Sequence, residues 1–134
     1  MAQGVHHISS QAEWDNLLAS TRYVIADFFA EWCGPCKMIA PHYEKFASSL
    51  SIPGYLAFAK IDVDNVRSVA TQYGITAMPT FLFFKDGTQV AVNGSPMVRG
   101  ADLGTLKAAV DKMARLAKEK AEAAAAAAAA AGSS

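Results

Sequence analysis

Two kinds of apolar run alternate along the chain, and each predicts one kind of element. Short runs rich in aromatic and β-branched residues predict strands, and they lie at 5–8, 23–30, 56–63, 81–84 and 89–92. Stretches with apolar side chains three and four positions apart predict helices, and they lie at about 10–18, 33–50, 64–73 and 103–117. The alternation, closed by a hairpin and a helix, predicts an α/β fold in which a central mixed five-stranded sheet lies between four flanking helices, in three layers.

Polar and turn-forming residues separate these runs. Asp86 and Gly87 form the Asp-Gly signal of a tight hairpin between the fourth and fifth strands. Asp64 precedes the third helix, and its side chain is expected to cap the first turn. The turn-rich segment 93–96 is followed by a short apolar segment at 97–98, which is not counted among the five strands.

The last part of the chain, 118–134, differs in composition from the rest. It has nine consecutive alanines between a segment rich in Lys and Glu and a Gly-Ser-Ser end. Alanine has the highest helix propensity, but a uniform alanine face offers nothing to pack, so this tail is expected to extend the last helix or to be disordered. We therefore predict one domain at 1–117 and a dispensable tail at 118–134.

Charge and hydropathy exclude several classes of protein. The chain has 134 residues, of which 12 are basic and 12 acidic, and this balance predicts neither a nucleic acid nor a membrane surface as partner. No run of about 18 large apolar residues is present, so no transmembrane span is expected. The first residues lack the basic and apolar regions of a secretory signal, and the end lacks an ER-retention tetrapeptide. These features predict a cytoplasmic protein whose cysteines are kept reduced.

The two cysteines carry the strongest chemical signal. Cys33 and Cys36 stand in the sequence Trp-Cys-Gly-Pro-Cys, after a predicted strand and at the start of a predicted helix. Two intervening residues place both sulfurs on one helical turn, and a helix N-terminus stabilises a thiolate. Pro35 suits the first turn because its missing N–H needs no partner there. We interpret the pair as a redox dithiol in which Cys33 attacks and the more buried Cys36 resolves the mixed disulfide.

Two other interpretations of the cysteines are weaker. A structural zinc site needs four ligands, and the three histidines, His6, His7 and His42, stand at no zinc-finger spacing. An inert pair of core cysteines does not account for the motif around them. We therefore expect redox chemistry and no metal at this position.

Two charged residues interrupt apolar strands. Asp27 lies between Ala26 and Phe28, where burial would raise its pKa and suit it to accept a proton from Cys36. The other interpretation is a solvated aspartate at a strand edge, and the sequence leaves both open. Lys60 modulates this carboxylate if its strand neighbours the Asp27 strand, and is otherwise an ordinary lysine at a strand end.

Two more positions leave a choice open. Pro79 stands at the entrance of a strand, either as an ordinary turn residue or in a cis bond that holds a close approach to the dithiol. Trp32, beside Cys33, is either a core aromatic or an exposed contact residue.

The motifs of the chain resemble those of the thioredoxin family, and most closely those of cytosolic fungal members. The matching segments lie at 27–41, 60–64, 73–75, 78–81 and 84–87. They are spread over about residues 5–117, and the Trp-Cys-Gly-Pro-Cys-Lys motif is highly specific. The resemblance implies the thioredoxin fold and a protein-disulfide reductase that is regenerated by thioredoxin reductase with NADPH.

The resemblance also assigns roles to individual residues. It makes Cys33 the nucleophile, Cys36 the resolving thiol and Asp27 the buried acid–base group. The backbone of Ala77 and Met78, beside a cis-proline, is expected to hold a client as an added strand. The catalytic candidates are Cys33, Cys36, Asp27 and Lys60. The client-binding candidates are Trp32, Gly34, Pro35, Ala77, Met78, Pro79 and Gly100.

The resemblance implies partners as well. They are thioredoxin reductase and disulfide-containing clients such as peroxiredoxins, methionine sulfoxide reductases and ribonucleotide reductase. We expect a monomer with no bound cofactor beyond the redox-active Cys33–Cys36 disulfide. An oxidase or isomerase is disfavoured because such domains usually carry Gly-His between the cysteines. A non-catalytic binding module is the other alternative, and it would keep its activity without the cysteines.

The chain departs from the family pattern just before its last helix. Thioredoxins carry a glycine there that lines the client groove, and Gly94 and Gly100 compete for this place. Gly100 fits the family spacing better. The segment 93–97 is then an insertion of about five residues near the groove, which is thermodynamically cheap.

Overall fold

The structure, a computed structural model, describes residues 4–132. Its strands are β1 (His6–Ile8), β2 (Tyr23–Phe29), β3 (Leu56–Asp62), β4 (Thr80–Lys85), β5 (Thr88–Val90) and β6 (Met97–Arg99). Its helices are α1 (Gln11–Ser20), α2 (Gly34–Leu50), α3 (Arg67–Gln72) and α4 (Leu103–Gly132). The predicted alternation of strands and helices is confirmed, with one strand more than the five expected.

The mixed sheet forms the middle layer of the fold. Its strand order is β1-β3-β2-β4-β5, and β6 also pairs with β4. The β1–β3 and β3–β2 pairs are parallel, whereas β4 runs antiparallel to β2. Apolar side chains of α2 and α4 pack on one face, and those of α1 and α3 pack on the other. Because both faces are covered, β2 and β3 are nearly continuous apolar runs, which is why the sequence pattern predicted them.

The additional strand arises because the edge strand of the sheet is interrupted. Val90 of β5 pairs with Phe83, and Met97 of β6 pairs with Leu82, the preceding residue of β4. The residues 91–96 therefore leave the ladder, which resumes at the next residue of β4 with its register shifted by these six residues. Residues 91–96 lie outside the ladder, whereas Met97, the last residue of the predicted insertion, belongs to β6. That 93–97 is an insertion relative to the family stays a prediction.

The segment 91–96 forms a small hairpin of its own. The Val92 N–H donates to the Ser95 carbonyl (2.9 Å), and the Ser95 N–H donates back to the Val92 carbonyl (3.0 Å). Asn93 and Gly94 between them have φ values of 53° and 81°, which is the left-handed conformation that an Asn-Gly hairpin turn requires. The Val92 side chain is buried with the α4 side of the core, so the hairpin is anchored to the domain.

Helix α4 continues well beyond the core of the domain. Its last fully buried side chain is Ala117, and from 118 to 132 every side chain is exposed except that of the partly buried Ala121. Of the two alternatives for the tail, the structure has the helical one as far as Gly132. Within residues 4–132, no helix is both long enough and apolar enough to cross a membrane.

Removing the exposed part of α4 is expected to leave the domain as stable as the full chain. A chain that ends at Lys118 keeps every buried side chain of α4, so its Tm should not change measurably. A chain that ends at Lys112 is the control, because it lacks the buried Met113 and Ala117. Losing one buried side chain of this size costs about 2–5 kcal/mol. A lower Tm for the Lys118 chain in thermal unfolding would contradict the predicted domain boundary.

Candidate active site

The two cysteines lie between the end of β2 and the first turn of α2. Cys33 is the N-cap residue of α2, and Cys36 lies in the first turn, after Gly34 and Pro35. Their Cα atoms are 5.3 Å apart, and the two sulfurs form a disulfide. The backbone N–H of Cys36 also donates a hydrogen bond to the Sγ atom of Cys33 (3.2 Å). The predicted pair on one helical turn is confirmed.

The two sulfurs occupy different positions relative to the N-terminus of α2. The first N–H groups of a helix have no partner within it and carry a partial positive charge. Cys33 occupies the N-cap position, and the Cys36 N–H points at its sulfur. Donors in this position favour a thiolate over a thiol, and the thiolate is the nucleophilic form of cysteine.

The structure corrects one expectation about this pair. Cys36 was expected to be more buried than Cys33, but the exposed fractions of the two residues are 5% and 4%. The sulfurs differ instead in their surroundings. The Sγ atom of Cys33 lies 3.5 Å from the carbonyl oxygen of Met78, whereas Cys36 lines a cavity between α2 and the sheet. Their neighbours, and not their exposure, distinguish them.

Asp27 is buried in the middle of β2. The residue is 1% exposed, and its Oδ1 atom accepts no hydrogen bond from the residues that the structure describes. Burial raises the pKa of this carboxyl to about 7, and the positive charge of Lys60 opposes the rise. The structure therefore favours the buried interpretation of Asp27 over the solvated one. A carboxyl that titrates near neutral pH can both accept and return a proton there.

Lys60 lies on β3 directly opposite Asp27 in the parallel ladder. Its ammonium group is held over the Phe29 ring, with Nζ 4.4 Å from the ring centroid. The side chain is partly buried and does not simply point into water. Because β3 is the neighbour of β2, the condition under which Lys60 acts on the Asp27 carboxyl is met.

The loop before β4 approaches the dithiol from the other side. The Met78–Pro79 peptide bond is cis, and the Met78 carbonyl faces the Cys33 sulfur. The Thr80 hydroxyl donates to the Ala77 carbonyl (2.7 Å), which fixes the loop on β4. The structure thus brings Met78 to the dithiol, with Ala77 and the cis-proline Pro79 on either side of it in the loop.

Gly100 borders the same loop, and Gly94 does not take part in it. The Gly100 N–H donates to the Pro79 carbonyl (2.8 Å), and its φ of 80° is a conformation that favours glycine. Gly94 lies in the turn of the small hairpin. Gly100, and not Gly94, is therefore hydrogen-bonded to the cis-proline, and its place in the client groove stays a prediction.

Trp32 is an exposed residue, with 69% of its surface accessible. Its indole N–H donates to the Oδ2 atom of Asp64 (3.0 Å), which holds the ring beside the exposed first turn of α2. This bond corrects the expected role of Asp64. Helix α3 begins three residues later, at Arg67, and no side chain caps it. Asp64 therefore orients Trp32 and does not cap a helix.

The sequence did not reveal a group of polar residues around Cys36. A cavity of about 180 Å³ opens between α2 and the sheet, lined by His7, Phe29, Ala30, Glu31, Cys36, Lys37, Ala40 and Lys60. Side-chain alternation along β1 places His7 on the same face as Val5, but the sequence does not show which strand is the neighbour of β1. Within residues 4–132, no three His, Cys, Asp or Glu side chains come together as metal ligands.

Comparisons with known proteins agree with this site. The sequence model of the Thioredoxin family matches residues 5–112. A thioredoxin of Neurospora crassa is 63% identical over 123 residues, which cover 92% of this chain and 97% of that protein. A thioredoxin-like protein of Fusarium culmorum is 58% identical over 116 residues, which cover 87% of this chain and 96% of that protein.

Solved structures give the same result for the fold. The crystal structure of Malassezia sympodialis thioredoxin superposes with a TM-score of 0.72 at 38% identity, covering 85% of this chain and 95% of that one. A second chain superposes with a TM-score of 0.69 at 31% identity, covering 81% of this chain and 94% of that one. It comes from a structural study of thiol resolution in a yeast mitochondrial 1-Cys peroxiredoxin via glutathione and thioredoxin systems. With its cysteine pair at the start of α2, the chain belongs to the thioredoxin family and is an oxidoreductase that acts on protein disulfides.

Proposed function

We propose that the two sulfurs act in a fixed order when the protein reduces a client disulfide. The Cys33 thiolate attacks one sulfur of the client, the client disulfide breaks, and its other sulfur leaves as a thiol after taking a proton. Cys36 then loses its proton and attacks the Cys33 sulfur. The Cys33–Cys36 bond forms, and the mixed disulfide releases the second client sulfur. The Cys36 N–H that points at Cys33 is the observation that carries this order.

We assign the proton transfer at Cys36 to Asp27. A carboxyl with its pKa raised to about 7 is poised to accept the Cys36 proton and to return it when the disulfide is reduced again. The opposing charge of Lys60 keeps that pKa from rising further. Lys60 therefore acts through Asp27 and does not react itself.

The client is proposed to bind as an extended segment along the Met78–Pro79 loop. The Met78 carbonyl lies beside the Cys33 sulfur, so a strand paired with the backbone of Ala77 and Met78 would bring its own disulfide to Cys33. The exposed Gly34 and Pro35 and the half-buried Gly100 border this loop and the dithiol. Trp32, held by Asp64, completes the contact surface.

Membership of the family supports a proposal for how the protein is regenerated and for its clients. We propose that thioredoxin reductase returns the disulfide to the dithiol with electrons from NADPH, with no bound cofactor and with a monomer as the working unit. The yeast structure from the peroxiredoxin work supports peroxiredoxins as one client class, beside methionine sulfoxide reductases and ribonucleotide reductase. A reductant must be kept as a dithiol, so we propose the reducing cytoplasm as its compartment.

A coupled assay tests this function. NADPH, thioredoxin reductase and insulin are mixed with the protein, and NADPH oxidation is followed. The wild-type chain should support many turnovers, whereas a Cys33→Ser, Cys36→Ser double variant should not exceed the rate without added protein. NADPH consumption by the double variant at the wild-type rate would exclude the dithiol as the redox group.

Replacing Trp32 by alanine is expected to weaken client binding. The KM for insulin should rise about fivefold or more with little change in kcat, and the Tm should stay constant because the side chain is exposed. Trp32→Phe is the matched variant. It keeps an aromatic surface but lacks the N–H that bonds Asp64, so its KM should be intermediate. Equal KM values for the three proteins would remove Trp32 from the client surface.

A further inference from the structure

Three ionisable side chains form a row across the sheet. His7 on β1 pairs in register with Lys60 on β3, and Lys60 pairs in register with Asp27 on β2. Residues in register on parallel strands project their side chains from the same face of the sheet. This is the face covered by α2, the helix that carries Cys36. His7 is the exposed end of the row and Asp27 is its buried end.

The cavity beside Cys36 brings two members of this row, His7 and Lys60, to the same space as Cys36. His7 and Lys60 line it from the sheet, and Cys36 lines it from α2. Its volume of about 180 Å³ has room for several water molecules at about 30 Å³ each. Cys36 therefore borders a cavity that it shares with His7 and Lys60, and Met78 of the client groove does not line that cavity.

We propose that His7 is a positioning residue for the chemistry of Cys36, and that its charge, acting through Lys60 and Asp27, sets the pH range in which Cys36 loses its proton. This inference rests on the proposed role of Cys36 as the resolving thiol. Histidine changes its charge between about pH 5 and 8. A positive charge at position 7 favours the ionised Asp27 carboxylate over its protonated form, and a negative charge has the opposite effect.

The step that His7 affects is the resolution of the mixed disulfide. Cys36 gives its proton to the Asp27 carboxylate, and its sulfur attacks the Cys33 sulfur. The Cys33–Cys36 bond forms while the Cys33–client bond breaks, and the client sulfur leaves with the electron pair and takes a proton from solvent. A nearby cation keeps the Asp27 carboxylate ionised and able to accept that proton, whereas an anion favours its protonated form.

Other charged groups face this region, and they set the background for His7. Glu31 and Lys37 line the same cavity from the loop after β2 and from α2. On its other side His7 borders a hollow that it shares with His6 and with Glu13 of α1. Within the core, the Tyr43 hydroxyl is within hydrogen-bond distance of the carbonyl oxygens of Ile25 and Ala59 (2.9 and 2.8 Å). Burial raises the pKa of this hydroxyl, so Tyr43 stays neutral. These groups remain unchanged when only His7 is varied.

The size of the effect follows from the geometry of the row. Neighbouring strands are about 4.8 Å apart, so His7 and Asp27 are separated by about 10 Å. A unit charge at that distance shifts a pKa by about 0.3 unit in a water-like medium and by about 1 unit at an effective dielectric constant of about 20. The shift should shrink as salt is added, because the Debye length at about 0.1 M is about 10 Å.

A charge series at position 7 tests the proposal. The reduced variants His7→Lys, His7→Gln and His7→Glu are mixed with the neutral probe dithiodipyridine in low salt. One thiopyridone is released when Cys33 attacks the probe, and a second is released when Cys36 resolves the mixed disulfide. The second phase of thiopyridone release therefore measures the resolution step. Its acid midpoint should rise in the order Lys, Gln, Glu, by about 0.3–1 unit per unit charge. Wild type should lie between Lys and Gln.

Two controls separate an electrostatic effect from a structural one. His42→Gln changes an exposed histidine on α2 that does not line the cavity, so its midpoint should equal that of wild type. In an Asp27→Asn background the charge series should lose its order, because His7 acts through Asp27. The same ordered shift in that background would overturn this route.

The outcomes distinguish this inference from the function on which it rests. If wild type shows both phases but the Lys and Glu variants have the same acid midpoint in low salt, the role of His7 is wrong and the proposed function stands. If wild type releases only one thiopyridone, Cys36 does not resolve and the proposed function fails first.

Discussion

Cys33→Ser should abolish disulfide reduction, by at least about a thousandfold in turnover. Serine cannot supply a thiolate, and Cys36, the other cysteine of the chain, does not occupy the N-cap position of α2. Removing a nucleophile from an enzyme typically has effects of this size or larger. The variant should bind insulin but release no reduced chains, as measured by the coupled NADPH assay.

Cys36→Ser is the matched control for Cys33→Ser, because it should fail at a later step of the reaction. Its Cys33 thiolate can still attack a client, so one equivalent should react at a rate close to that of wild type before the cycle stops as a mixed disulfide. Both variants lack the Cys33–Cys36 bond, so a loss of stability cannot explain a difference between them. Full turnover by either variant would refute the two-sulfur cycle.

Asp27→Asn should stabilise the oxidised protein at pH 8 and leave its stability nearly unchanged at acidic pH. The pKa of Asp27 is raised from 3.8 to about 7 in the folded state. Below pH 3.8 the carboxyl is protonated in both states. Between these two values the unfolded chain ionises first, so the stability of wild type falls as pH rises. Each unit of pKa shift corresponds to about 1.4 kcal/mol, so the free energy of unfolding of wild type falls by about 4 kcal/mol in total. This loss is complete above pH 7.

Urea unfolding of the oxidised proteins at acidic pH and at pH 8 measures this effect. The asparagine variant should gain about 2–4 kcal/mol over wild type at the higher pH only. Asp62→Asn is the matched control. Asp62 is also buried, but its carboxylate accepts hydrogen bonds from the Asp64 N–H and the Asn65 amide, so its replacement should bring no gain. If the free energy of unfolding of wild type and of Asp27→Asn changed with pH in the same way, the claim that ionisation of the buried Asp27 destabilises the folded protein would be contradicted.

The same substitution should slow the reaction. An asparagine cannot accept the Cys36 proton, and losing a general base typically costs about 100-fold or more in the step it serves. The second phase of probe release should therefore slow at neutral pH, while attack by Cys33 should change little. Such a variant would gain stability and lose activity, as happens where a strained or uncompensated group serves function.

The regular elements and the dithiol could be predicted because they depend on local pattern. Buried strands such as β2 are continuous apolar runs, and the spacing of Cys33 and Cys36 places both on one turn of α2. Asp27 was conspicuous for the same reason, because a carboxylate in such a run needs an explanation. The sequence left its burial open, since it does not show which strands are central.

The features that were missed depend on pairing between distant segments. The interruption at 91–96 follows from the register of the edge strand on β4, which local turn signals do not determine. Asp64 looked like a helix cap, but its partner is the Trp32 indole, 32 residues away. The row of His7, Lys60 and Asp27 exists only because β1 and β2 flank β3.

Selective alkylation of the reduced wild-type protein tests the central claim most directly. Limiting iodoacetamide is added near neutral pH, the reaction is quenched, and the modified cysteine is identified by peptide mapping. The N-cap position and the N–H donated by Cys36 predict a thiolate on Cys33, so the label should be found on Cys33 alone until reagent is in excess. Labelling of Cys36 first, or of both cysteines at equal rates, would contradict the unequal roles of the two sulfurs.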